Sequence, residues 1–172
     1  MTPVHFDRLP DDARLWTFAA SRPLRGTEAE RLLERVDAHL AGWSAHGRPV
    51  RGARDWRHDH FLLVGADEGA TGVSGCSIDA LFRVLGEVER ELGVTLRDGS
   101  RVWFRDADGE IRAVPRPEFR ALAREGAVHE DTPVIDSTVS TVGELRAGRW
   151  ETPMGRSWHG RAFLGTPVVP AD

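Results

Sequence analysis

The chain has 172 residues, 40% of them hydrophobic and 29% charged, which suits one folded domain or one domain with a substantial extension. Its net charge is −4 and all 23 basic residues are arginine, so a Schiff-base lysine, a lysine general base and the Walker A phosphate loop are excluded. The acidic total argues against a general nucleic-acid binder, and no apolar run approaches the ~20 residues that cross a bilayer.

The first 12 residues, MTPVHFDRLPDD, carry neither a basic start nor an apolar stretch. The single cysteine cannot form an internal disulfide, and the two observations together set the expectation of a reducing cytoplasm. In chain order, Arg14 to Ala19 reads as a short strand after the Pro10-Asp11-Asp12 turn. Thr27-x-x-Glu30 reads as a capping box opening a helix, with Leu32, Leu33, Val36, Leu40 and Trp43 at helical spacing and Gly47 and Pro49 ending it. Strands are expected near Val50 to Trp56 and Phe61 to Ala66, joined by Arg57-His58-Asp59-His60. A second helix follows the stretch Gly69 to Gly75, with Ile78, Leu81, Phe82, Leu85, Val88 and Leu92 on one face and Gly93 as its stop. Arg101 to Arg105 and Glu110 to Val114 read as a hairpin around Asp106-Ala107-Asp108-Gly109, and Pro117 to Arg124 as a short helix entered through proline. Val134 to Val139 is a further strand candidate and Val142 to Arg146 a short helix, ahead of an irregular tail.

Through Arg105 this order is β-α-β-β-α-β. It predicts an α+β protein with a ferredoxin-like βαββαβ core over about residues 10–105 and a C-terminal α/β extension over about 106–172, in one domain. Chain direction alone then puts the Trp43 to Gly47 loop at the edge where the third strand ends, beside Asp67, Glu68 and Cys76. His58 and His60 fall at the opposite edge.

Cys76 stands in Ser74-Gly75-Cys76-Ser77-Ile78-Asp79, where a strand breaks on glycines and a helix begins. Backbone N–H groups and the helix dipole there stabilise a thiolate. Topology nominates His46 as its base, with Asp67, Glu68 or Asp79 orienting the imidazole. The expected function is a thiol-dependent enzyme acting on a small molecule or peptide, with no cofactor. The alternative is a non-catalytic ligand-binding or adaptor module in which Cys76 only packs. Trp43, Ser74, Gly75, Ser77, Arg83 and Trp158 are the candidate ligand-binding residues, Trp43 as an aromatic platform and Trp158 from a tail that folds back. Cys76 to Arg83 is one residue too long for the C-x5-R loop of thiol phosphatases, which excludes that class. His58-x-His60 has metal-ligand spacing but nothing completes the set, so no metal is expected. Arg51, Arg54 and Arg57 read as a solvated surface, since an RNA-binding sheet needs more stacking aromatics than the single Phe61 of the third strand. Membrane and nucleic acid are therefore not among the expected partners, and the sequence leaves oligomeric state open.

Leu9-Pro10-Asp11-Asp12-Ala13-Arg14-Leu15-Trp16, Trp43-Ser44-Ala45-His46-Gly47, the Ser74 to Asp79 segment and Ser157-Trp158-His159 together resemble a small bacterial family labelled "ABC transporter ATPase". The likeness runs over nearly the whole chain and is most specific at Ser74 to Asp79. What it implies is a set of motif positions, with no established activity attached to them.

Overall fold

The computed structural model of the chain describes residues 4–67, 69 and 75–165, with residues 75 and 76 by backbone alone. The chain is a mixed α+β protein, divided into two units: Met1–Asp98 with Ser140–Gly143, and Gly99–Val139 with Glu144–Asp172. The passage between them falls at Asp98–Gly99.

The first unit is built on an antiparallel sheet of β1 (Arg14–Ala19), β4 (Arg51–Arg57) and β5 (Phe61–Asp67), in the order β1-β5-β4. The central strand is buried from Phe61 through Ala66 because both of its faces are covered. On one face, Leu62, Val64 and Ala66 join Leu32, Val36 and Leu40 of α1 (Thr27–Ala41) and Leu81, Leu85 and Val88 of α2 (Gly75–Leu92). On the other, Leu9, Ala13, Ala53 and Val142 form a smaller core with Val4 and Phe6 around the 3-10 turn Phe6–Arg8. Gly65 permits that approach, since a Cβ there would stand 2.4 Å from Leu9 Cδ1.

Two local readings change. The capping box is not formed: Gly26 is the N-cap, without a side-chain cap, and Glu30 N–H donates to its carbonyl, so Thr27 is already helical. The helix also stops at Ala41, because Trp43 to Val50 turns into a small hairpin of β2 (Ser44–Ala45) and β3 (Arg48–Pro49). His46 and Gly47, both at positive φ (51° and 74°), make its two-residue turn.

The expected fourth strand of the ferredoxin-like sheet is corrected. Arg101–Arg105 is β6 and belongs to the second unit, where it pairs with β7 (Ile111–Pro115) and β8 (Pro133–Ile135). The Asp106 to Gly109 turn, with Gly109 at φ 80°, closes the β6–β7 hairpin locally, which costs far less chain entropy than a distant pairing with β1. The outer edge of β1 is filled instead by two irregular segments. Ala19 and Ser21 N–H donate to the Leu96 and Thr95 carbonyls, and Leu15 N–H donates to Ser140.

In the second unit β9 (Glu151–Pro153) completes a sheet in the order β7-β6-β8-β9. Phe119 of α3 (Arg116–Arg124) is buried among Val102, Phe104, Val114, Val134 and Met154. Val134 to Val139 is strand only over β8, because Asp136 accepts from Thr138 N–H and turns the chain toward α4 (Val142–Arg146).

Gly52 is the tightest point under α1: a Cβ would lie 2.8 Å from Trp43 Cε3 and 3.0 Å from Leu40 Cδ2. Gly52→Ala is expected to lower unfolding free energy by about 1–3 kcal/mol through overpacking. Gly42→Ala, which meets nothing within 4 Å, should stay within about 0.5 kcal/mol. Parallel urea melts of the two variants check this.

Candidate functional site

In the first unit a cleft of about 340 Å³ opens where the end of α1 and the chain at Val4–Phe6 flank β4. Hydrogen-bond parity explains why it follows this strand. Leu15 and Ala19 of β1 donate outward, so Trp16 and Phe18 between them pair with Val64 and Leu62 of β5. Leu63 and Gly65 then pair with Asp55 and Ala53, which turns the N–H and C=O groups of Gly52, Arg54 and Trp56 away from the sheet. Two of these N–H groups are satisfied locally, Gly52 by the Val50 carbonyl at 3.1 Å and Trp56 by Asp55 Oδ1 at 2.9 Å. Such an edge resists pairing with another strand.

The cleft is amphipathic. Leu40, Val50 and Phe6 supply apolar surface, and Asp37, Arg51, Arg54 and His5 supply polar groups. Arg54 is clamped on Asp37 by two bonds of 2.8 and 2.7 Å, which raises its guanidinium above the ordinary value. Arg51 is the more available cation, since its side chain is 57% exposed and its contact with Asp67 is long, 3.3 Å. No thiol or hydroxyl side chain lines the cleft among the described residues.

The residues expected from the sequence are distributed otherwise. Trp43, expected as a ligand platform, is a core residue, 3% exposed, packed near Trp16 and His39 and under Gly52. Its indole N–H donates to the Ser77 carbonyl at 3.2 Å, which ties the β2–β3 hairpin to the first turn of α2. His46 is exposed on the hairpin turn and Ser77 is buried. Asp67 accepts from Arg51 and from Gly69 N–H, so its carboxylate is turned to those groups. Asp79 and Arg83 are exposed on α2. Glu68 and Ser74 lie outside the described residues, and so do the side chains of Gly75 and Cys76. His60 is buried with Nδ1 3.0 Å from the Ala20 carbonyl, while His58 and Asp59 occupy left-handed turn positions. Arg57 and Arg54 each face a carboxylate, Asp55 and Asp37. The signal in the sequence for the cleft was Gly52 itself, a lone glycine inside a strand, which marks a close approach.

Ser157-Trp158-His159 belongs to the second unit. The Ser157 hydroxyl accepts from His159 N–H and stands 2.8 Å from Nδ1 of the same residue. The imidazole is 2% exposed and stacks on Trp158 at 3.9 Å. Burial pushes its pKa from 6.5 down to about 4, against the pull of Asp136, with Arg116 adding a smaller downward push. Burial also lowers His39, whose Nε2 has no hydrogen-bond partner among the described residues.

No protein-family model, curated protein or solved structure matches the chain.

The His159 environment has a pH signature. An unfolded chain takes up the proton near 6.5 and the folded one only near 4, so stability is full above pH 6.5 and falls as pH drops through that window. The loss reaches roughly 3 kcal/mol at the acid end. Urea melts at pH 7 and pH 4.5 should show it. His159→Gln should remove that step and leave only the acid loss due to carboxylates; an identical step in the variant would assign the loss elsewhere.

Proposed function

We propose that this chain is a small-ligand-binding module, and that its site is the β4 cleft of the first unit. The observation that carries the reading is the cleft's make-up: apolar walls, one available arginine, and no thiol or hydroxyl side chain in its lining among the described residues. Its volume is at the lower end of small-molecule sites, which are mostly apolar with a few convergent polar groups. Arg51 favours an anionic group, and Leu40, Val50 and Phe6 favour a short apolar body beside it. We read the supporting unit as the ferredoxin-like order with its last strand replaced by residues 95–96 and Ser140, and its setting as a reducing cytoplasm in which Cys76 stays a thiol.

Octanoate, a carboxylate on a short alkyl chain, is the probe. Its binding should raise the thermal midpoint of the wild type. Arg51→Ala should abolish the rise, Val50→Trp should block it by filling the cleft, and octanol should give little. No rise with octanoate, or a rise that both variants retain, would sink the reading.

One observation favours thiol-dependent chemistry as a second reading. The Trp43–Ser77 bond holds the hairpin that carries His46 against the helix turn that carries Cys76. On this reading Cys76 is the nucleophile and His46 its base. Iodoacetamide labelling across pH should then report a thiol titrating well below about 8.5, moving up in His46→Ala. Titration at or above that value, or a profile that His46→Ala leaves unchanged, removes the catalytic reading.

A further inference from the structure

Most arginines of the first unit are neutralised by a carboxylate, as in Arg31–Glu91, Arg35–Glu87, Arg54–Asp37 and Arg97–Glu89. On α3 of the second unit the pattern breaks. Arg116, Arg120 and Arg124 recur every four residues on one flank of the helix, all exposed, and no carboxylate among the described residues pairs with them. In the same unit Arg105, Arg112 and Arg149 do have acidic partners, Glu151, Asp106 and Glu144. Helix stability explains only part of the stripe. Arg124 suits the negative end of the helix dipole, but Arg116 stands at the positive end, where a cation is disfavoured.

Two of the three guanidinium groups are held in place. Arg116 lies over the Trp158 ring, 5.3 Å from its centroid. Arg120 lies over Phe163, also 5.3 Å from the centroid, with Nη1 donating to the Ala162 carbonyl at 3.4 Å. Cation–π contacts restrain the planar groups while leaving most of their N–H donors free.

We propose that this stripe is a docking surface for an acidic, extended peptide segment of a partner protein, each arginine taking one carboxylate. Residues four apart on a helix rise about 6 Å. Alternate side chains of an extended chain are spaced about 7 Å apart on one side, so Asp or Glu at every second position matches the stripe. A single-stranded nucleic acid fits less well, because the aromatic surfaces that would stack on bases are taken: Trp158 by His159 and Arg116, Phe163 by Phe119 and Arg120. An anionic membrane fits less well too. A helix lying in a bilayer interface needs a large apolar face to insert, and here Phe119 is fully buried in its own core.

The experiment uses the full chain and a fluorescein-labelled peptide of alternating glutamate and glycine, read by anisotropy. A glutamine-glycine peptide, oligothymidine and phosphatidylserine vesicles are the other arms. The glutamate peptide should bind with an affinity that falls as salt rises. Replacing Arg116, Arg120 and Arg124 together by Ala should weaken it at least about tenfold, with Arg31→Ala as an unaffected control. Should the triple variant lose its circular dichroism, Arg124→Glu alone, an exposed last-turn change, should still weaken binding severalfold. The proposal is overturned if no glutamate peptide binds at low salt, if the glutamine peptide binds as well, if the folded variants bind unchanged, or if oligothymidine or vesicles compete the peptide away.

Discussion

The first unit depends on covering both faces of β5. Six consecutive residues, Phe61 to Ala66, are buried, and a strand in that position must find apolar partners above and below it at once. Leu32, Val36, Leu81 and Leu85 cover one face from the helices. The other is covered by chain with little regular structure, Leu9 and Ala13 ahead of β1 and Val142 from far along the sequence. Gly65 is the hinge of this arrangement, because any side chain there would occupy the space of Leu9. A sheet of three strands is narrow for two such covers, and its margins therefore decide much of what the unit presents outward.

The two margins are handled differently. Along β1, the Leu15 and Ala19 N–H groups donate to the Ser140 and Leu96 carbonyls, so loop segments take the place of a neighbouring strand. Along β4 the outward groups are blunted from within, by Val50 and by the carboxylate of Asp55. What β4 retains is side-chain chemistry: a clamped Arg54–Asp37 pair and a looser Arg51. Edge protection and the lining of the cleft thus converge on β4 and its approach, and Gly52 lets Trp43 and Leu40 pack beneath them.

Much of the element pattern was legible in the sequence, because it rests on local signals. Both main helices followed from apolar periodicity, β1 from the turn ahead of it, α3 from the proline in its first turn, and the β6–β7 hairpin from its Asp-x-Asp-Gly turn. Sheet membership was not legible. Nothing in Arg101–Arg105 distinguishes a partner for β1 from a partner for β7 and β8, since alternation specifies a face and leaves the neighbour open. Trp43 was visible as important, but its indole reads alike as a ligand platform and as a core ring with a bonded N–H. The cleft was hidden for another reason. Its polar groups come from three separate stretches, His5, Asp37 and the Arg51/Arg54 strand, and read individually as solvated charges.

Ser140–Gly143 has a temporal meaning as well as a spatial one. These residues finish the first unit, accepting from Leu15 and donating from Val142 to Ala13 and from Gly143 to Asp11, yet they emerge from a ribosome only after most of the second unit has been synthesised. Translation proceeds N-terminus first, so the β1 margin waits partly open, at Leu15, while β6, β7 and β8 are being made. The early chain is thus a nascent intermediate whose last backbone partners arrive late, and its completion is coupled to the length already translated.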